Sequence, residues 1–251
     1  RSLVGSEMCI RDSGRIICRL MKVSRRFTQS DSVVDLVEAD YNILPLLSRF
    51  SLPLGFGDKT IGRACDEANI DVDVFLLVIN HIITRQLPDP IQIEKLRPMA
   101  IVDFLRKSHG YFVDYKFPEI RTKLLRALEE SHNDINPIIV RFFDDFIRHI
   151  HHHFDYEENI VFPYIEAVAS GKHTEYDISI FRKQHDDVGD TLRELKNIIL
   201  RYYSTAKPDL MYDVLVDIYN VEADLDSHAD IENNIMVPRI EFLEKQLLKD
   251  K

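Results

Sequence analysis

HFDYEENIVFP, from His153 to Pro163, and HADIENNIMVP, from His228 to Pro238, are two copies of one pattern, His-x3-Glu-x-Asn-Ile-x-x-Pro. On an α-helix, residues four apart lie on one face about a turn from each other, so His153 and Glu157 aim the same way, as do His228 and Glu232. The duplication extends upstream, because His109 precedes His153 by 44 positions and His185 precedes His228 by 43. Each half therefore reads as a helical hairpin with one His on its first helix and His-x3-Glu on its second. Folding the two hairpins together brings four imidazoles and two carboxylates to one level of a core, about a pseudo-twofold axis. That is an arrangement for two metal ions.

A single His-x3-Glu is more often a solvated pair than a ligand pair. Two copies with matching flanks, each with a further His at nearly the same offset, are hard to explain by packing. Imidazole and carboxylate without thiolate suit iron or manganese rather than a structural zinc. With both Glu bridging and an oxo or hydroxo group between the ions, each ion is five-coordinate, which leaves room for a small ligand such as dioxygen or nitric oxide. The other histidines are read differently. His149 shares the face of His153 one turn away, as a candidate hydrogen-bond partner or proton donor, and His151 and His152 face solvent. His81, His132 and His173 lack a repeat partner and read as ordinary surface or loop residues. Glu158 is turned about 100° from Glu157 and reads as exposed. Asp186 and Asp187 read as solvated, with a hydrogen bond to a ligand imidazole as the lesser reading.

The chain around the repeat reads as helical. It has 8 Gly, no Trp, and long Leu/Ile/Glu/Lys/Arg-rich runs, and 45% of its 251 residues are hydrophobic. Four long helices are expected, over about 99–130, 137–168, 176–203 and 208–248. Pro137 and Pro208 suit first-turn positions, Gly171 suits a helix stop, and Pro118 disturbs the first helix. Short connections between them predict an up-down-up-down four-helix bundle. Upstream, short apolar-periodic segments between Asp31 and Arg85 predict a small helical module, and Pro88, Pro90 and Pro98 mark the linker. The expected divisions are a leader over 1–23, the small module over 24–90 and the bundle over 91–251. Arg1–Ser13 resembles translated sequencing-adapter read-through, and Met21 is the expected native start. A basic targeting peptide is the competing reading of residues 1–30, which hold seven Arg/Lys against two acids.

A net charge of -10 disfavours a nucleic-acid surface, which needs clustered cations. No run reaches the roughly 18 apolar residues of a membrane span. Cys9, Cys18 and Cys65 form neither a disulfide framework nor a Cys-x-x-Cys site, which points to a reducing cytoplasm.

SHGYFVDYKFPEI around His109, the two repeat copies, and QHDDVGD around His185 together resemble the hemerythrin-like bundle of the repair of iron centres (RIC) family. The likeness spans about 95–248. It implies two iron ions held by His109, His153, Glu157, His185, His228 and Glu232, with Glu157 and Glu232 as bridges. It also implies repair of iron-sulfur clusters damaged by nitrosative or oxidative stress, with damaged iron-sulfur proteins as partners and a homodimer compatible. Alternatives on the same centre are a nitric oxide-reducing enzyme and a carrier or sensor of dioxygen or nitric oxide. A carrier would be expected to have five His and two carboxylates, against four convincing His in this chain. DKTIGRACDEANIDVDVFLLVIN resembles the ScdA-type domain that accompanies such bundles. That domain carries adjacent cysteines followed by glycines just upstream, where this chain reads LPLGFGD, Leu52 to Asp58. Cys65 alone reads as a small buried residue.

Overall fold

The structure is a computed structural model that describes residues 25–129, 131, 133–184 and 189–249. The expected leader and His132 lie outside the described residues, as do His185, Asp186 and Asp187. The fold is all-α, and among the described residues no strand forms beyond an isolated bridge between Ser32 and Thr60. No described helix is long and apolar enough to cross a membrane.

The N-terminal module comprises α1 (Val33–Ala39), α2 (Leu44–Arg49), α3 (Ile61–Glu67) and α4 (Val72–Thr84), followed by the short α5 (Pro90–Ile93). Side chains of Ser32, Thr60 and Asp71 cap the free N–H groups that open α1, α3 and α4. The segment predicted to be a linker is partly helical: Asp89 caps α5, and Pro98 begins the next helix, where a missing N–H costs nothing.

Among the described residues the four long helices form close to their predicted spans, with π-helical interruptions in the first, second and fourth. The first comprises α6 (Pro98–Gly110) and α7 (Phe117–Glu129), and the second α8 (Asn136–Tyr156) and α9 (Phe162–Ala169). The fourth comprises α12 (Asp209–Ile231) and α13 (Val237–Lys249). Between the parts lie π-helical turns at Tyr111–Lys116, Glu157–Val161 and Glu232–Met236. The third helix is described as α10 (Ile178–Gln184) and α11 (Gly189–Tyr202). Pro137 lies in the first turn of α8, and Gly171 ends α9 in the left-handed region with φ +77°. Pro208 stands one place earlier than predicted, as the cap residue of α12.

The interruptions have one cause in the sequence. Proline lacks an N–H, and its ring collides with the carbonyl four residues earlier in a regular helix. Pro118, Pro163 and Pro238 each stand just beyond one of the π turns. The N–H groups of Phe117, Phe162 and Val237, each immediately before its proline, bond back five residues, to Phe112, Glu157 and Glu232. One extra residue in the turn moves the crowded carbonyl aside and lets the helix continue.

α6 packs on α9 and α7 on α8, while α10 packs on α13 and α11 on α12, so each half-helix meets the opposite half of its sequence neighbour. These are the pairings of antiparallel hairpins. On α8 the buried residues Ile139, Phe143, Phe146, Ile150 and Phe154 recur every three or four positions and make one apolar stripe. Each buried Phe contributes about 2 kcal/mol through apolar area removed from water.

The apolar interior falls into two clusters. One joins the N-terminal module to α6, α9 and α13, for example Val33, Phe75, Leu105, Phe162 and Ile240. The other fills the opposite end, through Phe117, Phe143, Phe146, Leu195 and Ile218. The polar residues of the repeat lie at the level where the two meet.

Candidate metal centre

The structure brings His109, Glu157, His228 and Glu232 together, each offering a ligand atom within 4.8 Å of the others, and all four are buried. His109 lies in the last turn of α6, and Glu157 and Glu232 each open a π turn. His153 joins them from α8, with Nε2 at 3.1 Å from Glu157 Oε1. His109 Nε2 lies 2.9 Å from Glu157 Oε2, and His228 Nε2 lies 2.9 Å from Glu232 Oε1.

These separations are short enough for hydrogen bonds, yet His109 Nε2, His228 Nε2 and both oxygens of Glu157 have no hydrogen-bond partner of proper direction. Two ligand atoms at right angles on one ion, each about 2.1 Å from it, stand about 3 Å apart. The spacing, the lost directionality and the donor set therefore fit a cation among them. Burying such groups without compensation costs several kcal/mol. Burial pushes the Glu157 carboxyl well above the usual carboxylate range, and the negative Glu232 beside it adds to the rise, with His109 opposing. A dication held among these groups would offset both causes of that rise.

Aromatic rings wall the site. His109 is stacked between Phe154 and Phe162, at centroid distances of 4.0 and 5.5 Å. Phe112 and Phe154 meet His228 edge to face, at 5.9 and 5.6 Å. His153 is the most exposed of the described set, with 15% of its side chain accessible.

Three readings of individual residues need correction. Glu158 is not a free surface carboxylate: its Oε1 accepts from His109 Nδ1 at 2.8 Å and its Oε2 from Arg106 Nε at 3.1 Å. Burial raises its pKa, but His109 and Arg106 outweigh that and hold the carboxyl below the usual range. Regular helix geometry turned Glu158 away from the site. The π turn opens at Glu157, and one imidazole has nitrogens on two edges, so consecutive carboxylates bracket the same ring. His81 is buried rather than on the surface, its Nδ1 donating to the Gln86 carbonyl at 2.8 Å. His151 is half-buried, whereas His149, His152 and His173 are exposed. The sequence signal for the π turns is the mid-helix proline that follows each of them. Cys65 is fully buried, and desolvation with nearby Asp71 pushes its thiol up to about 12, so it is unreactive.

The model of the hemerythrin HHE cation-binding domain matches residues 100–240, which include every residue of the cluster. The chain belongs to this hemerythrin family. Among curated proteins none matches it significantly. The hemerythrin domain binds metal, typically iron, and the buried His/Glu cluster supplies a site able to do so.

Proposed function

We propose that this hemerythrin-family chain holds two iron ions through His109, His153, Glu157, His185, His228 and Glu232, with Glu157 and Glu232 shared between them. We further propose that it acts in the cytoplasm, supplying iron to iron-sulfur proteins damaged by nitrosative or oxidative stress. The observation that carries the reading is a buried pair of carboxylates met by imidazole Nε2 atoms at 2.9–3.1 Å, with no thiolate in the set. Such oxygen and nitrogen ligands hold ferrous iron less firmly than a closed Cys-rich site. All of them bind protons when the metal leaves. The motif likeness to the repair of iron centres family supplies the client class, and the N-terminal module, as a degenerate ScdA-type domain, fits the same reading.

The test uses anaerobically loaded protein and an iron-sulfur enzyme inactivated by nitric oxide or peroxide. The loaded protein restores activity and the metal-free protein does not, and a ferrous chelator strips the reduced form faster than the oxidised one. A protein that keeps its iron against chelators, binds dioxygen reversibly and restores nothing is a carrier, and the repair reading then fails. Formation of nitrous oxide from nitric oxide without repair would replace it with a reductase.

A further inference from the structure

Arg49, the last residue of α2 in the N-terminal module, is driven into the bundle. Its side chain is wholly inaccessible, and its Nη2 donates to Asp224 Oδ2 on α12. The guanidinium carbon lies 4.6 Å from the ring centres of both Tyr111 and Phe112, in the π turn that follows His109. Those faces are a favourable environment for a cation whose Nε and Nη1 have no hydrogen-bond acceptor. A lone buried guanidinium is costly, so its destination is informative.

Asp224 stands one turn before His228 on the same face of α12. Side chains on a helix lean toward its N-terminus, so the His228 ring leans toward Asp224. His228 is 2% exposed, and its Nδ1 is buried without a hydrogen-bond partner. An imidazole that ligates through one nitrogen nearly always gives its other N–H to a carboxylate, carbonyl or water. His109 already has that arrangement, in the series His109, Glu158, Arg106. The second half holds the same three kinds of group, but its arginine comes from outside the bundle. Burial raises the Asp224 carboxyl, and the charges of Arg49 and His228 oppose the rise.

Resting on the metal reading above, we infer that Arg49 and Asp224 are positioning residues for the metal centre: Arg49 holds Asp224 as the outer carboxylate of His228, and the N-terminal module thereby becomes part of the site. The module then has a role that needs no cysteine pair.

The experiment loads full-length wild type, Asp224→Asn, Arg49→Met, Arg49→Lys and the Arg49→Met/Asp224→Asn double variant with ferrous iron. It follows iron transfer to a ferrous chelator and the cooperativity of unfolding of each metal-free form. Asp224→Asn keeps the shape and removes the charge, so part of the iron leaves about 10–100-fold faster, the usual effect of losing such a partner. Arg49→Met does the same, Arg49→Lys restores much of the retention, and the double variant is no worse than either single one, because both act through one imidazole. Wild-type retention in Asp224→Asn, or effects that multiply in the double variant, would overturn the inference while leaving the metal reading intact. A wild type that takes up no iron overturns both. Should Arg49→Met fail to fold, Asp224→Asn and Arg49→Lys decide alone.

Discussion

The two copies of the repeat bring the same His-x3-Glu pair to the buried cluster and differ in what surrounds it. In the first, Glu158 follows Glu157 and braces His109, and Arg106 from the same bundle braces Glu158. In the second, Asn233 follows Glu232, and the arginine that meets Asp224 reaches in from the N-terminal module. The lesson is that a repeated motif can be symmetric while its surroundings are not, the second copy having an arginine of the N-terminal module beside it.

The largest effect is expected where the halves are equal. On the proposed ligand set, Glu232→Ala and His153→Ala should each lose most of the iron, measured by metal analysis after anaerobic loading, because a dry core offers no replacement for the lost carboxylate or imidazole. Glu157→Leu should empty the site in the same way, yet make the metal-free protein more stable by about 1–4 kcal/mol in denaturant unfolding, since buried charged clusters are often less favourable than apolar packing. Equal iron content in these variants and the wild type would mean that the ligand set is wrong.

The comparison itself is broken by Glu158→Gln against Asn233→Ala. The first should speed iron loss to a chelator about 10–100-fold, and the second should leave it near wild type. Matching losses from both would show that the outer support is symmetric after all.

A smaller and opposite pair of changes is expected at the prolines. Pro163→Ala and Pro238→Ala restore a backbone N–H and permit a regular helix, so the metal-free protein should gain stability, by up to about 3 kcal/mol. Iron retention should fall in the same variants, because the π turn that begins at each ligand Glu is no longer enforced. Pro118→Ala should affect retention least, since its π turn begins two residues beyond His109.

The pH dependence is gentler. Glu157, Asp224 and Glu244 all have carboxyls raised by burial, so the folded metal-free protein holds protons that the unfolded chain has released. Its stability should therefore be highest near the ordinary carboxylate range and fall as pH rises toward and through neutrality. Iron loading or Glu157→Gln should flatten that slope in thermal melts taken at several pH values. The smallest effect belongs to Cys65→Ser, which should leave iron content unchanged and lower stability by about 1–3 kcal/mol for a hydroxyl placed in an apolar pocket.

The four helices were legible in the sequence because their apolar stripes are long and their ends carry Pro137 and Gly171. The cluster was legible because His-x3-Glu occurs twice with the same flanks. Glu158 was not, because its role depends on a local π turn, and ideal helix geometry turned it toward solvent. Arg49 was not legible either. It stands in a short helix with no periodicity of its own, and only tertiary packing shows that it crosses more than a hundred residues of sequence to meet Asp224.

The π turns have a mechanical consequence. Two long helices carry an underwound joint that begins at a clustered Glu, the first carries one just past His109, and the two apolar clusters adjoin at that same level. Helices kink most readily at such joints. The bundle is in effect jointed rods with their knuckles at the level of the buried His/Glu cluster. Each half of the interior keeps its own packed cluster, so a bend at these joints leaves both intact.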